Sequence, residues 1–199
     1  MRTLVVVENL SLDGVMQAPG RPDEDERGGF AHGGWASRML ADDPGVVQAG
    51  MGDTGSGSEM LFGRRTYLDL VGHWLATSDA NPFTEILRST PKYVASRSLS
   101  EPLPHPASVL LPGDAVEAVG ALKADGGGEL VVLGSGDLVR QLAAAGLVDE
   151  YQLTILPVVL GAGTRLFGDT HTELEPVRTQ AFPSGAVVAR YRVVARGRG

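Results

Sequence analysis

The feature that most constrains the fold is the stretch ELVVLGSGDLVRQL at residues 129–142. Its apolar segment, residues 130–133, is short and β-branched enough to predict a buried strand. The turn GSG follows, and apolar residues then recur at helical spacing, which predicts a helix. Glycines let the backbone approach a phosphate, and the N–H groups at a helix start point towards such an anion. The stretch therefore predicts a phosphate-binding turn or, as a purely structural alternative, a turn in which Ser135 is the helix N-cap.

A second turn of the same kind carries two arginines. Residues 60–62 predict a short strand that runs into the sequence GRRT at residues 63–66, and a helical pattern follows. Thr66 is the predicted N-cap of that helix, and Asp69 completes a pair that resembles a capping box. Two cations beside a helix start exceed what capping requires. We therefore favour an anion at this turn over two merely solvated arginines.

Strands alternate with helices through the first three quarters of the chain, and after that strands follow strands. The other predicted strands are residues 4–7, 92–95, 108–111, 150–160 and 186–195, of which the strand at 150–160 is interrupted by Pro157. Asp114 is a predicted helix cap. This order predicts a three-layer α/β/α fold with a mixed, mainly parallel sheet and a C-terminal antiparallel hairpin. The whole chain, residues 1–199, is expected to form a single domain.

Three polar turns are expected at one edge of this sheet. Ligands of such sheets sit at the carboxyl ends of the strands. The turns at residues 63–66 and 134–136 follow predicted strands, and Ser96 and Arg97 follow the strand at residues 92–95. We therefore expect these three turns to form one site.

Composition excludes several kinds of function. The net charge of the chain is −7 and no lysine- or arginine-rich block occurs, so nucleic acid is not expected as a partner. The longest uncharged apolar runs are too short to span a membrane. The absence of cysteine excludes disulfides, thiolate zinc sites and cysteine nucleophiles, and it fits a cytoplasmic protein. Histidine and acidic residues nowhere have metal-ligand spacing, so no metal site is predicted.

Two segments are predicted to be surface connections. Residues 17–34 contain the acidic run at residues 23–26 and predict a mobile surface loop. The glycine-rich sequence GMGDTGSGS at residues 50–58 is not followed by the Gly-Lys-Ser/Thr of a P-loop, so it predicts a flexible connection. Asn81 is predicted to cap a short helix that begins with a proline.

Four sequence motifs together resemble a known superfamily. LFGRRTY, VASRSL, VLGSGDLVRQL and LPVVLGAGTRLF are similar to motifs of the dihydrofolate-reductase-like superfamily. More narrowly, they resemble the C-terminal reductase domain of the bacterial bifunctional riboflavin-biosynthesis deaminase-reductase. The resemblance covers residues 3–194 and is strongest over residues 61–67 and 130–167. It implies a dihydrofolate-reductase-like fold, a homodimer, and NADPH as the cofactor.

The resemblance also assigns the site residues. It implies that NADPH is bound by Gly63, Arg64, Arg65, Thr66, Ser96, Arg97, Gly134, Ser135, Gly136, Asp137 and Leu138. Asp137 departs from a simple phosphate turn because it adds a negative charge there. The SLDG motif, which contains Asp13, would form a wall of the nicotinamide and substrate pocket. The deaminase half, with its His-x-Glu and Pro-Cys-x-x-Cys motifs, cannot be present in a chain without cysteine, so a stand-alone reductase-like domain is expected.

The implied activity is that of a 5-amino-6-(5-phosphoribosylamino)uracil reductase-like enzyme, which transfers hydride to a C=N or C=O carbon of a small heterocyclic or sugar-derived substrate. We expect Asp13 to supply the proton, directly or through a water, although Asp13 capping the SLDG turn is an equal alternative. Two other functions remain open. One is a pterin or dihydrofolate-type reductase of the same fold, and the other is a nucleotide-binding module without turnover.

Overall fold

The computed structural model describes residues 1–52, 57–77 and 82–194. Part of the predicted flexible connection, residues 53–56, lies outside the described residues, as does the predicted helix cap Asn81. The chain forms two compact units, the first made of Met1–Val5 and Asp53–Leu147 and the second of Val6–Gly52 and Val148–Gly199. A single domain over the whole chain stays a prediction.

The strands confirm the predicted sheet. They are β1 Leu4–Ser11, β2 Glu59–Gly63, β3 Lys92–Ala95, β4 Ser108–Leu111, β5 Leu130–Leu133, β6 Glu150–Leu156, β7 Leu174–Ala181 and β8 Val187–Val193. Their order in one eight-stranded sheet is β4-β3-β2-β5-β1-β6-β8-β7. β2 is parallel to β3 and β5, and β3 is parallel to β4. β8 is antiparallel to both β6 and β7, so the sheet is mixed and ends in the predicted antiparallel hairpin.

The helices are short. They are α1 Ser37–Asp42, α2 Pro44–Met51, α3 Arg64–Thr66, α4 Gly72–Ala76, α5 Pro82–Ser89, α6 Ala115–Ala124 and α7 Gly136–Ala144. A π-helical segment, Tyr67–Val71, joins α3 to α4, and a 3₁₀ turn covers Arg27–Gly29. In the part of the chain that the structure describes, none of these helices has the length and apolar character needed to cross a membrane.

The core of the first unit lies around β5. All four residues of this strand are buried, as its apolar sequence predicts. The buried face of α7 carries Leu138, Val139 and Leu142, which are the residues at helical spacing in the sequence. Asp114 caps α6 as predicted, since its Oδ1 accepts hydrogen bonds from the N–H of Val116 at 2.9 Å and from that of the next residue at 3.2 Å.

The second unit confirms one predicted irregularity and contains one strand that the sequence does not reveal. The predicted strand at residues 150–160 is interrupted at Pro157 as expected, and β6 ends at Leu156, because Pro157 has no N–H to donate to a neighbouring strand. The sequence does not predict β7, because most of its residues are exposed and its pairing shifts register between Pro176 and Arg178. An exposed strand with an irregularity has no apolar alternation for a sequence pattern to detect.

Candidate functional site

Strand register brings the three polar turns of the first unit to the same sheet edge. In β2, Gly63 pairs with Ala95 of β3, and Leu61 pairs with Val132 of β5. β2 therefore lies between the other two strands, and all three strands run in the same direction. The residues that follow each strand end side by side, as expected for a ligand site in a parallel sheet.

Two of these turns are hydrogen-bonded into one unit. The N–H of Gly63 donates to Oγ of Ser135 at 2.9 Å, and the N–H of Ser135 donates to Oγ1 of Thr66 at 3.0 Å. The Ser135 hydroxyl in turn donates to the carbonyl oxygen of Leu133 at 3.2 Å. These bonds cross from β2 to β5, so neither turn can change its conformation without the other.

These hydrogen bonds show that two predicted helix caps are wrong. Ser135 precedes α7, but its side chain makes no capping bond, because the hydroxyl is occupied by Gly63 and Leu133. Thr66 is not an N-cap, because the helix already begins at Arg64 and Gly63 occupies the cap position. The sequence shows both hydroxyl residues beside helix starts, where capping is the commonest role, whereas here they serve the contact between strands.

The turn after β5 leaves backbone donors open. Gly134 has a φ of +59°, and a Cβ at this position would lie 2.8 Å from Cγ2 of Thr66, so only glycine fits. The first helical bond of α7 runs from the N–H of Val139 to the carbonyl of Ser135. The N–H groups of Gly136, Asp137 and Leu138 therefore precede it and are available to an anion.

Three arginines at this edge lack partners. Arg64, Arg65 and Arg97 are exposed, and across residues 1–52, 57–77 and 82–194 none of them has an ion pair or a side-chain hydrogen bond. Asp137 is different, because it forms an ion pair with Arg140 one turn further along α7. The negative charge noted in the sequence is thus neutralised within the helix and leaves the turn suited to an anion.

Ser96 has a partly structural role. Its Oγ accepts hydrogen bonds from the N–H of Ser98 at 3.2 Å and of Leu99 at 3.1 Å, which shapes the turn after β3. The hydroxyl proton of Ser96 is still available for donation to a ligand. The turn presents the exposed Arg97 beside it.

Asp13 lies in the second unit, where it is held by several donors. Its carboxylate accepts from the Ser11 hydroxyl at 2.7 Å, from the N–H of Leu160 at 3.1 Å and from the N–H of Gly161 at 2.9 Å. The bond from Ser11 is the main reason why the pKa of Asp13 falls from its ordinary value of 3.8 to about 2. Asp13 is therefore a carboxylate at neutral pH and carries no proton of its own to donate.

Arg165 is a member of this cluster that the sequence does not indicate. Its Nε donates to the carbonyl oxygen of Asp13 at 2.8 Å, and its Nη2 lies 3.5 Å from the carboxylate. The motif LPVVLGAGTRLF contains this arginine, but nothing in the spacing of the sequence links it to Asp13. Residues 13–17 and 160–166 are joined by further backbone bonds, such as that from the N–H of Met16 to the carbonyl of Thr164 at 2.9 Å.

The model of the RibD C-terminal domain matches residues 2–188 of the chain. The chain belongs to the RibD C-terminal domain family. A curated relative is the uncharacterized protein YyaP of Bacillus subtilis (strain 168), which is 34% identical over 139 residues, 66% of this chain and 72% of YyaP.

Solved structures show that this RibD C-terminal domain shares its fold with reductases. A candidate riboflavin biosynthesis protein of Shewanella sp. PV-4 is 22% identical with a TM-score of 0.68, and covers 98% of this chain and 99% of its own. A pyrimidine reductase-like protein of Corynebacterium diphtheriae is 16% identical with a TM-score of 0.61, over 98% and 93% of the two chains. Dihydrofolate reductase of Enterococcus faecalis, solved with NADP(H), is 14% identical with a TM-score of 0.59, over 96% of each chain. The resemblance to the dihydrofolate-reductase-like superfamily is confirmed.

The first unit of this RibD C-terminal domain fits a phosphorylated dinucleotide. Unpaired guanidinium groups at Arg64, Arg65 and Arg97 suit a phosphate monoester, for which they provide charge-assisted bonds. The glycine turn and the open N–H groups at the start of α7 suit a pyrophosphate. These two kinds of donor lie at the same edge of one parallel sheet.

Proposed function

We propose that this member of the RibD C-terminal domain family is an NADPH-dependent reductase of the riboflavin-biosynthesis type, acting on a small heterocyclic or sugar-derived substrate in the cytoplasm. The observation that carries the proposal is the pair of interlocked turns beside three unpaired arginines. Together they offer separate donors for a pyrophosphate and for a phosphate monoester. The fold shared with a pyrimidine reductase-like protein and with a dihydrofolate reductase solved with NADP(H) supports this choice.

Each part of the first unit has a distinct role in the proposal. Gly134 adopts the left-handed turn that leads into α7, and the N–H groups at the start of α7 bind the pyrophosphate. Arg64, Arg65 and Arg97 bind the 2′-phosphate that distinguishes NADPH from NADH. Bound NADPH supplies the hydride.

We propose that Asp13 helps to deliver the proton of the reaction by positioning a water. Its pKa of about 2 makes it a charged acceptor at neutral pH, so it can hold and orient a water that passes a proton on. The bonds from Leu160 and Gly161 fix the position of the carboxylate. In this proposal Asp13 has both of the roles considered from the sequence, because it orients the water and also stabilises the SLDG turn.

The test compares the binding of two cofactors. The double variant Arg64→Ala/Arg65→Ala should weaken NADPH binding far more than NADH binding, because each charge-assisted bond contributes roughly 1.5–3 kcal/mol. The matched control is Arg38→Ala/Arg88→Ala, which removes two exposed arginines that pair with Asp42 and Glu85 instead. Dissociation constants are measured by isothermal titration calorimetry. Equal losses of affinity for NADPH and NADH would show that these arginines do not bind the 2′-phosphate.

Turnover separates the proposed enzyme from a binding module. NADPH oxidation is followed at 340 nm with a panel of pyrimidine, pterin and keto-sugar substrates. Oxidation with a pyrimidine supports the riboflavin-type reductase, whereas oxidation only with a pterin supports the dihydrofolate-type alternative. Tight NADPH binding without oxidation by any member of the panel would support a nucleotide-binding module.

A further inference from the structure

The connection between β3 and β4, residues 96–107, contains no helix or strand. It carries Arg97, one of the three arginines proposed to bind a 2′-phosphate, so the position of this guanidinium depends on how the connection is held. We propose that Tyr67 and Glu101 are positioning residues, which hold the connection so that Arg97 acts on the same phosphate as the arginines of α3. The inference rests on the proposed function and deepens it by naming residues that determine the choice between NADPH and NADH.

Tyr67 joins the connection to the turn that carries the other two arginines. It is the first residue of the π-helical segment that directly follows α3, and its side chain is fully buried. Its hydroxyl oxygen accepts a hydrogen bond from the N–H of His105 at 3.2 Å. Its ring meets the His105 ring edge to face, with centroids 5.2 Å apart, and its centroid lies 6.5 Å from that of Phe62 in β2. One side chain therefore links β2, the turn beside two arginines and the connection that carries the third.

Glu101 fixes the middle of the connection against β4. One of its carboxylate oxygens accepts from the N–H of Leu110 at 2.6 Å, and the other accepts from the N–H of Leu103 at 3.1 Å. Leu110 lies in β4 and pairs with Val94 of β3. Bonds from a backbone N–H to a carboxylate are charge-assisted and stronger than neutral ones. Glu101 therefore ties the connection to a strand of the sheet, a few residues after Arg97.

The position of Arg97 is determined by the backbone around it. Among the residues that the structure describes, its side chain has neither an ion pair nor a hydrogen bond, so no direct contact fixes the guanidinium. The path of the connection is held at the turn of Ser96, at Glu101 and at the contact with Tyr67. A cation on a fixed backbone loses less conformational freedom when it binds a phosphate. Loosening the connection should therefore weaken the bond to the 2′-phosphate and leave the rest of the nucleotide site unchanged.

The experiment compares two half-cofactors that differ only in the 2′-phosphate, adenosine 2′,5′-bisphosphate and adenosine 5′-monophosphate. Isothermal titration calorimetry with the full chain gives the two dissociation constants, and their ratio is the preference for a 2′-phosphate. Tyr67→Phe should lower this preference about three- to tenfold, because it removes only the hydroxyl that accepts from His105. The matched control is Tyr93→Phe in β3, which removes a hydroxyl that has no hydrogen bond within the described ranges and should leave the preference unchanged.

Variants of Glu101 test the second contact. Glu101→Ala should lower the preference in the same way, because both backbone bonds are lost. Glu101→Gln should lower it less, since the amide oxygen still accepts one of the two bonds. Glu117→Ala removes an exposed carboxylate from α6 in the same unit, and it is the control for the change in charge.

A further measurement tests whether both residues act through Arg97. In an Arg97→Ala background, Tyr67→Phe and Glu101→Ala should no longer change the preference, because the group that they position is absent. A purely structural role would instead weaken the two half-cofactors equally, in either background.

Two outcomes would overturn the inference, namely an unchanged preference in Tyr67→Phe and Glu101→Ala, or an effect that persists without Arg97. If these variants lower the preference but NADPH is oxidised with no substrate of the panel, the proposed reductase fails and this inference stands. If NADPH is oxidised and the α3 arginines determine the preference while the Tyr67 and Glu101 variants behave like the native chain, the proposed function stands and this inference fails. A native chain without any preference for the 2′-phosphate would overturn both.

Discussion

At the scale of single residues, Ser135 shows how the turn between β5 and α7 is held in place. Its φ of +61° and ψ of +40° place a residue with a side chain in the left-handed region, which costs about 1–2 kcal/mol relative to ordinary backbone. The bonds to Gly63 and Thr66 compensate for this cost. The strain persists because the partners of Ser135 are themselves held by secondary structure, Gly63 at the end of β2 and Thr66 in α3.

Ser135→Ala should be less stable than Ser135→Gly. Both variants lose the hydroxyl and its bond from Gly63, but only glycine relieves the left-handed conformation, so we expect a difference of about 1 kcal/mol in the free energy of unfolding. Urea denaturation measures it. Ser37, in α1, is the control, where the order should reverse because alanine favours a helix. An alanine variant at 135 as stable as the glycine variant would mean that the turn is not strained.

Asp13 should make unfolding depend on pH in acid. Its pKa is about 2 in the folded protein against an ordinary 3.8, so the unfolded chain takes up its proton at higher pH than the folded one does. The stabilisation is therefore fully present above about pH 4 and is lost as the pH falls towards 2. Asp13→Asn should be destabilised at about pH 5 and approach the native protein at about pH 2.5, as measured by urea denaturation. A constant difference between the two would show that the carboxylate charge is not involved.

At the scale of elements, β5 and α7 could be predicted because their apolar residues follow a clear period. The sequence predicts the turn between them but not the partners of Ser135, because Gly63 and Thr66 are far away in sequence. Lys92 is another residue whose role the sequence pattern does not predict. It is fully buried, and its Nζ donates to the carbonyls of Leu87 and Thr90, so a residue that sequence rules place at the surface caps the end of α5.

Gly136→Val tests whether the start of α7 binds pyrophosphate. Gly136 opens the helix and is not among the glycines with positive φ, so valine is tolerated by the backbone. We expect NADPH binding to fall by about 3 kcal/mol, the loss of two charge-assisted hydrogen bonds, with little change in the Tm of the apo protein. Gly120→Val, in the middle of α6 with nothing within 4 Å, is the control for the change in helix propensity. Unchanged affinity with a lower Tm would mean that the turn is structural.

At the scale of the whole molecule, we propose a homodimer formed through β7. This strand lies at one end of the sheet and is exposed over most of its length, with Val177 47% exposed. Exposed edge strands are generally covered or protected. Light scattering at micromolar concentration should give twice the mass of the chain, and Val177→Lys should give the monomer. Val109→Lys, on the opposite edge strand β4 and 52% exposed, should leave the dimer intact. A monomeric native protein would rule this proposal out.

The close contact between Thr66 and Gly134 also limits the order in which related sequences can change at these two positions. A side chain at 134 is blocked by Cγ2 of Thr66, the methyl that serine lacks, while the hydroxyl that accepts from Ser135 is common to both residues. Thr66→Ser is therefore a permissive step, after which Gly134→Ala meets the hydroxyl oxygen at 3.2 Å and the cost of its backbone conformation, but no longer the methyl. If Gly134→Ala came first, its new methyl would clash with Cγ2 of Thr66. The two positions are thus expected to show epistasis. Arg64 and Arg65 take no part in this contact, so under the proposed function we expect them to vary without altering the fold.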